Sequence, residues 1–109
     1  MHELTIAQSV VDAVLERTGD RPVTTVRLQV GKLAGVVPDA LLFGFDLVTA
    51  GTPLAGAALV IEEPYGKGRC RRCGERFPVE DLLVLCGCGS ADVELLGGRE
   101  LQVTSVDVG

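Results

Sequence analysis

The segment Cys70-Arg71-Arg72-Cys73-Gly74, together with Cys86-Gly87-Cys88-Gly89, decides how the second half of this chain folds. Two residues between Cys70 and Cys73 let both thiols point at one ion, and Gly74 permits the tight turn that this requires. The cysteine pairs are separated by residues 74–85, which is close to the span of a zinc-ribbon hairpin. The spacing therefore predicts one metal site in which all four cysteines are ligands.

Zinc is the metal that this ligand set favours. Four thiolates suit tetrahedral Zn²⁺, and a closed four-sulfur site leaves no coordination position for catalysis, so the predicted role is structural. Iron in the same cage, or a disulfide or redox pair, remains an alternative. Only one residue lies between Cys86 and Cys88. That spacing gives a tighter chelate and predicts a distorted second half of the site.

Length, composition and charge exclude several classes of protein. The chain has 109 residues, a formal net charge of −5 and one histidine. We expect one modest core with a small attached lobe, and no sequence-independent binding to nucleic acid. A metal site with two histidines from one chain is excluded. No apolar run is long enough to span a membrane and no signal-type segment is evident, so we expect a cytoplasmic protein.

Basic residues are concentrated beside the first cysteine pair. Residues 67–76 hold five of the ten Lys and Arg residues of the chain. One interpretation is a solvated face that offsets thiolate charge, and the other is a surface that docks nucleic acid or an acidic protein. In the wider cysteine-bearing insert, residues 64–98, only Tyr65 and Phe77 could stack on bases, which argues against nucleic acid.

Periodicity outside the cysteine-bearing segment alternates between helix and strand. The pattern predicts a helix over 4–18, a strand over 23–30, a helix that starts at Pro38, a strand over 59–62 and a strand over 101–108. This order predicts an α+β fold with two helices packed on a three-stranded sheet and an inserted zinc-ribbon-like domain. The predicted domains are residues 1–63 plus 99–109, and residues 64–98. Gly44 inside the second helix indicates close packing there.

The N-terminal Met1-His2-Glu3 is a second candidate metal site. The Met1 amine, the His2 amide nitrogen and the His2 imidazole can chelate one ion in adjoining rings, and Glu3 could complete the set. Nitrogen-rich sites of this kind suit Ni²⁺ or Cu²⁺. The residues lie just before a predicted capping box, in which Thr5 caps the first helix and Gln8 reaches back. The alternative is a solvated histidine, with Glu3 as a carboxylate near a helix N-terminus.

Taken in order, these motifs resemble the HypA/HybF family of nickel-insertion metallochaperones. The matching segments are Met1-His2-Glu3-Leu4, Ile6-Ala7-Gln8-Ser9, Val26-Arg27-Leu28, Gly31-Lys32-Leu33, Gly35-Val36-Val37-Pro38, Phe45, Gly51-Thr52, Cys70-Arg71-Arg72-Cys73-Gly74, Cys88-Gly89-Ser90 and Gly98-Arg99-Glu100-Leu101. The resemblance covers essentially the full chain. The family has a second cysteine pair that is usually spaced by two residues, and the Cys86-Gly87-Cys88 pair departs from it.

The resemblance implies a nickel metallochaperone that is not an enzyme. It implies His2 as the main nickel ligand, with Met1 and Glu3 nearby, and the four cysteines as zinc ligands. The implied cargo is Ni²⁺, delivered to a nickel enzyme, above all [NiFe]-hydrogenase. The implied partners are a nickel-handling maturation GTPase, the hydrogenase large subunit and, in some organisms, urease accessory proteins. The competing hypotheses are a zinc-ribbon adaptor or nucleic-acid-binding module without nickel, and a redox protein that uses its CxxC pair.

Overall fold

A computed structural model describes residues 2–109, which form two helices and two small sheets. In chain order the elements are α1 (Glu3–Thr18), β1 (Val23–Val30), α2 (Pro38–Thr49), β2 (Ala58–Glu62), β3 (Gly66–Cys70), β4 (Arg76–Val79), β5 (Val93–Gly97) and β6 (Leu101–Val108). The predicted α+β class, with two helices, a three-stranded sheet and a cysteine-bearing insert, is confirmed. None of the helices in this described range is long and apolar enough to cross a bilayer.

The chain divides into two compact units. Among the described residues, the first comprises 2–29, 36–62 and 102–109, and the second comprises 30–35 and 63–101. The sheet of the first unit has the order β2-β1-β6. β1 and β2 run parallel, with Val26 opposite Leu59. Side-chain hydrogen bonds join Thr24 to Asp107 and Gln29 to Gln102, so β1 and β6 run in opposite directions.

The core of the first unit lies between the helices and one face of the sheet. Alternation along β1 places Val26 and Leu28 in the core, while Arg27 between them stays partly exposed. The helices contribute small and branched residues from α1 and two large residues from α2. The buried apolar side chains of this unit are Ala7, Val10, Val11, Val14, Val23, Val26, Leu28, Leu41, Phe45, Leu54 and Ala57.

The two helices approach closely where α2 carries a glycine. A Cβ built on Gly44 would lie 3.4 Å from the Cα of Leu4 and 3.6 Å from the carbonyl oxygen of Glu3. Gly44 is therefore the point at which the first turn of α1 packs against α2, as its position inside a helix predicts. This contact lies in the first turn of α1, directly after His2.

The start of α1 differs from the sequence-based prediction. The helix begins at Glu3 with His2 as its N-cap, so Thr5 already lies inside the first turn. The predicted capping box is wrong: Gln8 donates to Asp12 instead of reaching back, and the Thr5 carbonyl accepts a bond from Ser9. The physical reason is non-local, because the Glu3 carboxylate accepts a hydrogen bond from the Val37 amide at the start of α2.

The second unit is a three-stranded antiparallel sheet with the order β4-β3-β5. Glycine is favoured at position 68 of its central strand, because a Cβ there would lie 2.9 Å from a methyl group of Val93 and 3.0 Å from one of Val79. Residues 30–35 join this unit through three backbone bonds. The amides of Gly31, Lys32 and Leu33 donate to the carbonyls of Glu100, Pro64 and Gly98.

Candidate metal centre

The four cysteine sulfurs of the second unit converge on one point. All four Sγ atoms lie within 4.8 Å of one another. The Cys70–Cys88 sulfurs are 3.7 Å apart and the Cys73–Cys86 sulfurs are 3.5 Å apart. These distances are far longer than the roughly 2.05 Å of a disulfide. A tetrahedron with Zn–S bonds of about 2.3 Å has sulfur–sulfur edges of about 3.8 Å, so the cluster fits a zinc ion.

The first cysteine pair forms a closed turn at the end of β3. The Cys73 amide donates to the Cys70 sulfur at 3.4 Å, and the Gly74 amide donates to the Cys70 carbonyl at 2.9 Å. Gly74 has a φ of +81°, a backbone conformation that favours glycine. The turn aims both thiols toward the second pair, which is the arrangement that the sequence predicted for the first pair.

The second pair forms a similar turn that is one residue shorter. The Gly89 amide donates to the Cys86 carbonyl at 2.8 Å, three residues back, whereas the equivalent bond at Gly74 spans four. Gly89 also has a positive φ, +94°. The Cys86 amide donates to the Ser90 carbonyl, which anchors the turn on its other side. The second turn is thus tighter because only one residue lies between Cys86 and Cys88, and both of their sulfurs still lie in the cluster.

Hydrogen bonding and burial act on the thiols in opposite directions. The Cys73 amide bond to the Cys70 sulfur is the main cause that lowers the pKa of Cys70 to about 6. The Cys88 amide favours the Cys86 thiolate, but burial and the neighbouring sulfurs outweigh it and raise the pKa of Cys86 to about 12. Several thiolates this close repel one another. A divalent cation among them removes that repulsion, which is the chemistry expected of a structural Zn²⁺ site.

Two basic residues near the cluster have acidic partners within the second unit. Arg69 lies 3.0 Å from Glu94, and Arg71 lies 2.9 Å from Asp92. Both pairs are partly solvent-exposed, where an ion pair contributes at most about 1 kcal/mol. Part of the basic run is therefore paired with acidic residues of its own unit, which neither interpretation of the sequence predicted.

His2 stands at the opposite end of the chain, in the first unit. Its side chain is exposed, and its carbonyl accepts the first helical hydrogen bond, from Ile6 at 2.9 Å. The His2 backbone is therefore held by α1, while its imidazole is exposed to solvent. Met1, the other predicted nitrogen donor, lies outside the described residues. The nickel ligands Met1, His2 and Glu3 remain predictions.

Glu3 already has a structural partner. Its Oε2 accepts a hydrogen bond from the Val37 amide at 3.1 Å, and Val37 is the N-cap residue of α2. This bond is the main cause that holds the pKa of Glu3 below its ordinary value of 4.5. One carboxylate oxygen thus links the first turns of the two helices. Sequence reasoning assigned Glu3 only to nickel or to its own helix, and it missed this contact.

A shallow apolar cleft lies beside His2. It has a volume of about 400 Å³ and is lined by His2, Glu3, Leu4, Thr5, Ala40, Phe43, Gly44 and Leu47. Phe43 is 67% exposed and Leu47 is 55% exposed. The sequence contains a signal for this exposed apolar surface, because α2 has apolar residues beyond the face that carries Leu41 and Phe45. An exposed apolar cleft of this kind is typical of an interaction surface.

Comparison with known proteins places the whole chain in one family. Residues 1–108 match the family model described as hydrogenase/urease nickel incorporation metallochaperone, HypA. The chain is 50% identical to the hydrogenase maturation factor HypA of Streptomyces avermitilis, covering 97% of this chain and 86% of that protein. It is 44% identical to the HypA of Geobacter metallireducens, with 99% of both chains covered.

A solved structure has the same fold. The solution structure of the nickel metallochaperone HypA from Helicobacter pylori superposes with a TM-score of 0.65 at 18% identity, covering 99% of this chain and 97% of that one. The predicted resemblance is confirmed by these matches. Matches of this extent over residues 1–108 mean that the chain belongs to the HypA family of nickel-incorporation metallochaperones, which are hydrogenase maturation factors and not catalytic enzymes.

Proposed function

We propose that this protein binds Ni²⁺ at its N-terminus and delivers it to a nickel enzyme, [NiFe]-hydrogenase above all, during maturation. The proposed ligands are the Met1 amine, the His2 amide and imidazole nitrogens, and one oxygen of Glu3. The observation that carries the proposal is the exposed His2 at the N-cap of α1 in a chain of this family. An N-cap amide has no acceptor within its own helix, which leaves its nitrogen free for a metal.

The location of the site favours release as well as binding. A helix N-terminus carries a partial positive charge, so it opposes a nearby cation by about 0.3–1 kcal/mol. This penalty lowers nickel affinity by less than tenfold, which suits a protein that must hand its ion on. The Glu3 carboxylate, held near His2 by the Val37 amide, offsets part of it.

The cleft beside His2 supports transfer to a docked partner. Leu4, Phe43 and Leu47 form an apolar rim within the same cleft as the imidazole. A partner that covers this rim would exclude water around the nickel ligands at the moment of transfer. The proposed partners are a nickel-handling maturation GTPase and the hydrogenase large subunit, with urease accessory proteins in organisms that have urease.

The cysteine cluster is proposed to hold a structural Zn²⁺ ion through Cys70, Cys73, Cys86 and Cys88. Zinc bound there would stabilise the second unit, and it would take no part in nickel chemistry because four thiolates leave no open position. Thiols kept reduced fit the cytoplasm, which is the proposed compartment. We propose that residues 64–98, which make up most of the second unit, fold as a domain on this ion.

An equilibrium Ni²⁺ titration of the zinc-loaded protein tests the proposal. We expect one strong nickel site per chain. His2→Ala should remove it, and so should an N-terminal extension of a few residues, because the extension converts the amine into an amide. Gln8→Ala is a matched control on the exposed side of α1, and it should leave nickel binding unchanged.

The opposite results separate this proposal from its competitors. Unchanged nickel binding in both His2→Ala and the extended protein would contradict an N-terminal site. Absence of any nickel site, with one bound zinc, would favour an adaptor without a nickel role. Zinc content measured under reducing conditions addresses the redox hypothesis, because a redox CxxC pair does not require a bound metal.

A further inference from the structure

β6 is an edge strand in the sheet of the first unit. β6 pairs with β1 on one side and, among residues 2–109, has no strand on its other side. It is eight residues long, and none of its residues is buried. A long strand edge presents a row of unpaired backbone N–H and C=O groups that can accept another strand.

The sequence of β6 lacks residue types that often block such pairing. Its sequence, Leu-Gln-Val-Thr-Ser-Val-Asp-Val, contains no lysine, arginine or proline. Its one charged residue, Asp107, is paired with Arg27 of β1 at 3.1 Å. The opposite edge of the same sheet is better protected, because β2 is only five residues long, ends at Glu62 and is followed by Glu63 and Pro64. The β6 edge is therefore open to pairing, while the β2 edge is not.

A groove runs between β6 and the last turns of α1. Its volume is about 510 Å³, and half-buried valines of β6 contribute much of its apolar lining. Its lining includes Arg17, Arg21, Val103, Val106 and Val108. All of these residues belong to the first unit.

Two arginines give this groove a positive charge in a chain whose net charge is −5. Arg17 and Arg21 line it, both are exposed, and neither forms an ion pair within residues 2–109. Arg27, also in the first unit, already has Asp107 as its partner. The groove therefore combines apolar surface, two unpaired guanidinium groups and an adjacent open strand edge.

We propose that the β6 edge and this groove form a docking site for an extended segment of a partner protein. The segment adds as a strand along β6, so its backbone pairs with the free edge. Every second side chain then faces the groove. Apolar side chains among these pack against Val103, Val106 and Val108, and acidic ones pair with Arg17 and Arg21. A carboxylate can accept two parallel hydrogen bonds from one guanidinium group.

A second copy of this chain fits the site poorly. The copy would offer its own β6, whose only charged residue is already paired with Arg27. Arg17 and Arg21 would then remain without acidic partners, and the same two arginines of the second copy would approach them. Charge complementarity thus favours an acidic segment of a different protein. The site does not involve His2, so its test is independent of nickel binding.

A synthetic peptide provides the probe. The blocked peptide Thr-Val-Thr-Glu-Thr-Val-Thr-Glu-Thr places valine and glutamate on one side of an extended chain. We expect it to bind the zinc-loaded protein, with NMR shift changes in β6 and in the last turns of α1. The Arg17→Ala/Arg21→Ala double variant should bind the peptide at least tenfold more weakly. Arg72→Ala, an exposed arginine of the second unit, is the matched control and should bind normally.

Two altered peptides separate charge from strand pairing. Lysine in place of both glutamates should abolish binding, and N-methylation of the residues that face β6 should do the same by removing N–H donors. Equal binding of the lysine peptide, or shift changes that lie elsewhere, would overturn the proposal. No binding of the acidic peptide at millimolar concentration would overturn it too, as would self-association of the free protein through β6. His2→Ala should bind the peptide normally, whatever it does to nickel.

Discussion

Removal of zinc is expected to unfold the second unit and to leave the first unit folded. Apart from two cysteines, the buried apolar residues of the second unit are only Val30, Leu33 and Val79. Burial of three such side chains contributes about 5–9 kcal/mol. Zinc bound by cysteines contributes roughly 10 kcal/mol or more. Most of the stabilisation available to this unit therefore depends on the metal.

Amide hydrogen exchange, followed residue by residue, measures the effect. Cys73→Ala, or a chelator added to the native protein, should remove protection from residues 63–101. Protection in α1, α2 and β1 should persist, because the eleven buried apolar residues of the first unit do not depend on the cysteine cluster. Arg72→Ala is the matched control, since it changes the adjacent exposed side chain and preserves all four thiols.

Two results would refute this reasoning. Loss of protection throughout the chain would mean that the two units share one cooperative core. Retained protection in β3–β5 after complete zinc removal would mean that the hydrogen bonds and the few apolar contacts of the sheet are sufficient without metal. Zinc content has to be measured in the same samples, so that residual metal is not mistaken for intrinsic stability.

Three further predictions test separate parts of the structure. Phe45→Ala should lower the free energy of unfolding of the first unit by about 3–5 kcal/mol in urea titrations, because Phe45 is buried. Phe43 is exposed, so Phe43→Ala should change this free energy by less than about 0.5 kcal/mol. Equal effects would contradict the assigned core. Gly89→Ala should weaken zinc binding by about 1 kcal/mol in a competition titration, because Gly89 has a positive φ. Gly87→Ala is the control and should not weaken it, since open space surrounds Gly87. A larger effect at Gly87 than at Gly89 would contradict the described turn. Folding lowers the pKa of Glu3, so the ionised Glu3 carboxylate stabilises the folded protein. This stabilisation is complete above the pKa that Glu3 has in the unfolded chain, and it is lost as the pH falls through the pKa of Glu3 in the folded chain. Glu3→Gln should accordingly lose stability less steeply than the native protein below about pH 4.5, and superimposable pH profiles would argue against the Val37 bond.

Local patterns in the sequence predicted the elements well. Alternation at Val26, Leu28 and Val30 marked the central strand, and Pro38 marked the first residue of α2. Gly44 indicated close packing, which the structure places against Leu4. These signals depend on neighbouring residues, so a single sequence contains them.

Features that depend on distant residues were missed. The Thr5 capping box was the better local signal, but the N-cap is His2, three residues earlier, where Glu3 accepts a bond from the Val37 amide. The membership of residues 30–35 in the second unit depends on backbone bonds across more than 30 positions. No periodicity within a short segment reports such contacts.

At the candidate metal sites, too, local spacing was predictable from the sequence, and features that depend on the fold were not. The spacing of the cysteines predicted a cluster, and it also led us to expect distortion at Cys86 and Cys88. The shorter turn that accommodates this pair requires the positive φ of Gly89 and the Ser90 carbonyl, which spacing alone does not reveal. The apolar cleft at His2 arises only when α1 and α2 pack together.

Nickel delivery through His2 is tested most directly by the nickel content of the enzyme that receives it. The hydrogenase large subunit would be purified from cells that lack this protein and are supplied with either the native chain or His2→Ala at equal abundance. We expect the native chain to restore nickel in the large subunit and His2→Ala to leave it nearly nickel-free under limiting nickel. Full nickel content with His2→Ala would contradict the account.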